Sequence, residues 1–140
     1  MTRLRQHGLL LVAMGLLVAI AAACATDSGG EGPGTSSIAQ VDSIDLLMLE
    51  SFPVQVTVMA QGNLPDGCTT IDQVTQERQG NTFKVTITTM RPAGKVYCTM
   101  LLVPFEQAIA LEVRGLPAGT YTVDVNGVSG SFTLDVDNEL

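Results

Sequence analysis

From Val41 onward, apolar and polar residues change places at every second position. Val54, Val56, Val58 and Ala60 alternate with Gln55, Thr57 and Met59. Phe83, Val85 and Ile87 alternate with Lys84, Thr86 and Thr88, and Ile109, Leu111 and Val113 with Ala110, Glu112 and Arg114. A period of two sends successive side chains to opposite faces, so each run predicts a strand with one face in a core. A further strand is predicted over Ser43–Glu50, where Ile44, Leu46 and Met48 share a face, and Pro53 separates it from the next. Turn signals lie between the runs: Gly62-Asn-Leu-Pro-Asp-Gly67, Gln79-Gly-Asn81, Arg91-Pro-Ala-Gly94 and Gly115-Leu-Pro-Ala-Gly119. No segment of the domain sustains a helical period. Seven or so short strands at this spacing predict an all-β, antiparallel sandwich over residues 41–140.

The last hairpin is the sharpest local signal. Tyr121–Val125 and Val128–Val136 flank Asn126-Gly127, the pair best suited to a two-residue type I′ turn, in which both residues need positive φ. With Val125 opposite Val128, Tyr121 faces Phe132 and Val123 faces Gly130, so the two aromatics share the buried side.

The segment Leu116-Pro-Ala-Gly-Thr-Tyr121-Thr-Val resembles the start of a late strand in bacterial immunoglobulin-like and fibronectin-III-like domains, where a tyrosine corner closes the sandwich. The wider pattern, Gly62-Asn-Leu-Pro-Asp-Gly-Cys68, Pro104-Phe-Glu106 and Gly115-Leu-Pro-Ala-Gly-Thr-Tyr-Thr-Val-Asp-Val-Asn-Gly127, is similar to a recurrent domain of bacterial surface lipoproteins. The resemblance spans about Ser43 to Val136. It implies an immunoglobulin-like sandwich and a cell-envelope address, with Tyr121 as the corner residue, and brings no activity with it.

The N-terminus has a different character. Arg3 and Arg5 precede an uncharged apolar run from Gly8 to Ile20, followed by Ala21-Ala22-Ala23-Cys24. Basic, apolar and small-residue regions in that order make a secretory leader over residues 1–23. The end of it resembles a bacterial lipobox, although Ala21 stands where that pattern prefers leucine. The resemblance implies a lipid-modified Cys24 and an extracytoplasmic, membrane-anchored location. An uncleaved membrane span from Gly8 to Ala25 and a plain cleavage site after Ala23 are the alternatives. Residues 24–40, rich in Gly and Ser and without apolar periodicity, read as a tether.

Cysteine parity agrees with the lipobox. With Cys24 acylated, Cys68 and Cys98 form an even pair in an oxidising compartment. Closing that loop of about 31 residues stabilises the fold by roughly 3–4 kcal/mol in the chain-entropy model. Two separate buried thiols are the competing assignment.

Charge and residue inventory then exclude more than they select. After Cys24 the chain has five cations (Arg78, Lys84, Arg91, Lys95 and Arg114) against fourteen carboxylates, a net charge of −9. Such a surface repels phosphate backbones, so no nucleic-acid partner is expected. The one histidine, His7, lies in the leader, which removes histidine-based catalysis and the common zinc and copper sites from the folded part. No enzyme activity, catalytic residue, metal site or cofactor is expected. Asp124 and the terminal Asp135-Val-Asp-Asn-Glu139 could supply oxygens to calcium but fit no calcium-loop pattern; the terminal acids read as a solvated tail.

The expected function is an interaction module tethered to a bacterial membrane through Cys24, contacting a protein partner through loops, a strand edge or the polar face bearing Lys84, Thr86 and Thr88. A protease or hydrolase inhibitor presenting Asn63–Cys68 or Arg91–Cys98 as a braced loop is the alternative. A passive envelope component is another.

Overall fold

The computed structural model describes residues 33–94 and 97–139. Eight strands follow one another without a helix among the described residues: β1 (Thr35–Ile38), β2 (Gln40–Leu49), β3 (Gln55–Leu64), β4 (Thr70–Gln79), β5 (Thr82–Arg91), β6 (Val103–Leu111), β7 (Gly119–Val125) and β8 (Val128–Leu134). They make two sheets. One is β2-β3-β6; in the other β5 is central, with β4 on one side and β1, β7 and then β8 on the other. The expected sandwich is the fold.

The predicted alternation becomes its interior. Val56, Val58 and Ala60 of β3 and Ile109 and Leu111 of β6 meet Phe83, Val85 and Ile87 of β5, with Tyr121, Val123 and Val125 of β7 and Phe132 of β8. Each valine, leucine, isoleucine or phenylalanine among them, fully withdrawn from water, contributes on the order of 1.5–3 kcal/mol. Tyr121 and Phe132 stack with ring centroids 5.5 Å apart, and Phe83 lies 6.1 Å from both. The register of β7 with β8 is the expected one: Val125 opposite Val128, Tyr121 opposite Phe132, Val123 opposite Gly130. At Gly130 the missing side chain matters, because a Cβ there would press on Ile44 and Leu46 of the facing sheet.

Four local expectations are corrected. The tether does not run to Gln40: β1 begins at Thr35, and Ala39 is buried. Its side chains are exposed and it is held by backbone pairing with Thr88–Arg91, a source of order that composition does not reveal. Gly62-Asn-Leu64 is not turn but the end of β3; Gly62 is required because a Cβ would collide with the Gln40 carbonyl and the Phe105 ring. The pairing of β5 with β7 is parallel, the exception in an otherwise antiparallel set. The C-terminal segment is solvated at Asp135, Asp137 and Glu139 but not at Asn138, which is fully buried.

Three carboxamides repair the places where strands fail to meet. Asn126 sits where β5 exchanges β7 for β1 as its neighbour. Its Oδ1 accepts from the Ile87 N–H (3.0 Å) and its Nδ2 donates to the carbonyls of Ile87 (2.9 Å) and Ala39 (2.8 Å). Asn138 closes one end of the sandwich, accepting from the Val54 N–H (2.6 Å) and donating to the carbonyls of Val54 (3.0 Å) and Val113 (2.9 Å). Gln76 of β4 reaches across to the other sheet, donating to the Ala110 carbonyl (3.1 Å) and accepting from the Glu112 N–H (3.3 Å). Each adds side-chain partners to backbone groups at these gaps, where the Ile87 and Val113 carbonyls also accept from the N–H groups of Ala39 and Leu116.

Candidate functional site at the disulfide-clamped end

Strands β3 and β5 both end on the same side of the molecule. Leu64 of β3 pairs with Val103 of β6, and Arg91 of β5 pairs with Thr35, where β1 begins. The chain leaving β3 turns at Pro65-Asp66-Gly67, and Cys68 is joined to Cys98 by a disulfide with the Cα atoms 5.5 Å apart. This is the pairing that cysteine parity predicts. A second tie lies beside it: the Gly67 N–H donates to the Thr99 carbonyl at 2.9 Å. A side chain at Gly67 would strike the Thr99 hydroxyl, so glycine permits the approach.

Asp66 organises this end. One carboxylate oxygen accepts from the N–H groups of Cys68 (2.9 Å) and Thr69 (2.8 Å) and from the Thr69 hydroxyl (2.9 Å), forming an Asx-type turn. The other meets Arg91 Nε at 3.0 Å. Burial works against the charged form, but the Thr69 hydroxyl, the two N–H groups and the Arg91 guanidinium outweigh it and hold the carboxyl below its ordinary value. The Arg91 guanidinium also lies 3.8 Å from the Cys98 sulfur through Nη2. Asp66 and Arg91 belong to the two segments, Asn63–Cys68 and Arg91–Cys98, that the sequence offers as braced loops, but their ion pair is not legible there; the aspartate two residues before a cysteine in Pro-Asp-Gly-Cys is the available signal.

Two surfaces result. A cleft of about 350 Å³ opens between β1 and the disulfide loops, lined by Ile38, Asn63, Pro65, Thr69, Arg91 and Leu102 among others. Beyond it the chain on either side of Cys98 presents apolar side chains to solvent: Tyr97 is fully exposed, Met100 79%, Leu101 73% and Leu102 67%. At the other end of β3, the β2–β3 corner exposes Leu47, Leu49 and Phe52.

The chemistry available is limited. The oxygen and sulfur atoms of Asp66, Cys68 and Cys98 lie within 4.8 Å of one another, but the sulfurs are bonded to each other and both Asp66 oxygens have protein partners. The oxygens of Asp124, the residue considered for calcium, accept from the Gly127 N–H and the Ser129 hydroxyl, both at 3.1 Å. Lys84 stands in register between Glu77 and Asp124, and Thr86 opposite Thr75.

A family model for the ORF11 β-sandwich domain matches residues 58–134. The chain belongs to that family. The matched stretch of this ORF11 sandwich contains Cys68, Cys98, Tyr121, Asn126 and Gly127, whereas β1, β2 and Asn138 fall outside it. The chain is 37% identical over 94 residues to an uncharacterized 10.2 kDa protein in the HgiCIIM 5' region of Herpetosiphon aurantiacus, covering 67% of this chain and 98% of that protein. It is 39% identical over 84 residues to a protein of the same description in the HgiBIM 5' region of that organism, covering 60% of this chain and all of the relative. No solved structure matches.

The remaining predicted residues fall as follows. Cys24 and the leader lie outside the described residues. Tyr121 is buried and its hydroxyl donates to the Pro117 carbonyl, four residues back, at 2.8 Å, which is the expected corner. Asn126 and Gly127 have φ of 49° and 94°, the signs a type I′ turn demands. These three are structural residues; the Asn-Gly pair marks Asn126 as a turn former, and its bridging role emerges only from the fold.

Proposed function

We propose that this ORF11 sandwich is a lipid-anchored, extracytoplasmic binding module: Cys24 carries the lipid, and the β2–β3 corner meets a protein partner. The observation that carries the second part is the exposure at one corner of Leu47 and Leu49, on the outer strand of the β2-β3-β6 sheet, and of Phe52 in the connection that follows. Clustered exposed apolar side chains beside an unpaired strand edge are the usual currency of protein recognition. Support for the anchor is the order of basic, apolar and small residues before Cys24 and the pairing of the other two cysteines.

The test is photo-crosslinking in the native cell from a reactive residue placed at Leu49 or Phe52, with one at Lys84 as the control face. A discrete adduct from the corner and none from Lys84 is the expected result. Adducts that are absent, or equal from both faces, overturn the binding assignment. Intact mass of the mature protein reads the acyl group on Cys24 independently.

One observation favours a second reading, hydrolase inhibition: Tyr97 is fully exposed next to Cys98, on a loop braced by the disulfide. Stoichiometric inhibition of a protease, lost on Tyr97→Ala, would select it.

A further inference from the structure

The exposed side chains flanking Cys98 lie at the end of the sandwich where β1 starts. β1 starts at Thr35, directly opposite Arg91, and the cleft at that point is lined by Thr35, Arg91 and Leu102 together. Thr35 is eleven residue steps from Cys24, so the two lie at most about 40 Å apart. The β2–β3 corner lies a full β3 strand farther on, ten residues or roughly 30 Å.

Charge marks the same end. The chain carries fourteen carboxylates, yet the sequence from Arg91 to Phe105 contains none. The nearest buried one, Asp66, is turned inward and bound by Arg91, whose own side chain remains half exposed. An apolar tip with a cation at its base, the exposed acids Asp42 and Glu106 being set back around Asn63 and Pro104, fits a bilayer interface, in which apolar side chains sink while cations stay at the headgroups.

We propose that Tyr97, Met100, Leu101 and Leu102 enter the membrane interface, making a second membrane contact in addition to the lipid on Cys24 and pointing the β2–β3 corner away from the bilayer. The inference rests on the lipid-anchor reading. The disulfide and the Gly67–Thr99 bond hold the tip in place, so its insertion fixes the tilt of the whole domain. Each contact raises the effective concentration of the other at the surface.

The chain has no tryptophan, which makes a single introduced one an unambiguous reporter. Leu101→Trp and, as the far-end control, Phe52→Trp are expressed with the native leader, purified in acylated form and reconstituted in phosphatidylethanolamine–phosphatidylglycerol vesicles with or without brominated acyl chains. Brominated lipid is expected to quench Leu101→Trp at least threefold more than Phe52→Trp. Replacing Met100 and Leu102 with serine in the Leu101→Trp background should abolish that difference. Vesicle flotation and intact mass test the anchor separately. A protein that is acylated and floats, but shows equal or no quenching, overturns the tip insertion and leaves the anchor standing. A Cys24 without lipid overturns both. Emission shifted to the blue in native envelopes without bromolipid quenching would place a protein on the tip and also overturn the proposal.

Discussion

The side chain of Asn126 and the main chain of Ile87 exchange two hydrogen bonds, of 3.0 and 2.9 Å, across the point where β5 passes from a parallel neighbour to an antiparallel one. The Ile87 carbonyl also accepts from the Ala39 N–H at 2.9 Å. One carboxamide therefore ties β1, β5 and β7 together.

Asn126→Gly separates the two roles of that residue. Glycine suits the positive φ but leaves the Ile87 N–H and the Ala39 carbonyl without their partner. A loss of about 2–3 kcal/mol is expected in urea unfolding, in spite of the better turn residue. A change below about 0.5 kcal/mol would show that the turn alone matters.

Asn138 is the analogous seal at the opposite end, and it lies near the C-terminus, where truncation is ordinarily harmless. Asn138→Ala removes three side-chain hydrogen bonds, one buried and two part-buried, and should cost about 3 kcal/mol. The Val54 amide, which donates to it, should lose hydrogen-exchange protection beyond the global change. Asp137→Ala, at an exposed position one residue earlier, should cost well under half as much.

In the corner, Tyr121→Phe deletes the bond to the Pro117 carbonyl and keeps the stacked ring. About 1 kcal/mol is expected. Phe132→Ala, which empties the other half of the stack, should cost about 3–5 kcal/mol. Thermal unfolding of the two variants measures the ratio.

Asp66 gives the domain a pH signature. Its folded pKa lies below the ordinary value, so its contribution is fully present above the unfolded pKa of about 4 and is lost as pH falls through the depressed folded value. Wild type should exceed Asp66→Asn in urea midpoint at pH 6, with the gap closing below about pH 4. A gap that is constant from pH 6 to pH 2 would contradict the assignment.

Reduction of Cys68–Cys98 should lower stability by roughly 3–4 kcal/mol in the chain-entropy model. The matched Cys68→Ser, Cys98→Ser double variant should show the same loss without reductant. In the Leu101→Trp background it should also broaden the tilt distribution of the vesicle-bound domain.

Local rules settled what local geometry governs. The period of two placed Val56, Val58, Phe83, Val85 and Ile109 inward, because a pleated strand must alternate. Asn126-Gly127 fixed its turn and with it the β7–β8 register, because few residues tolerate two successive positive φ values. Parity paired Cys68 with Cys98. Long-range geometry decided the rest. Strand β1 is polar and earns its place through backbone bonds to β5, which no pattern of side chains announces. Asn138 and Gln76 read as ordinary surface residues until the fold brings unpaired backbone groups from distant strands within reach of their amides. The candidate sites belong to the same class: that Thr35, Arg91 and Leu102 share one end, and Leu49 and Phe52 the other, follows from strand pairing between segments far apart in the chain.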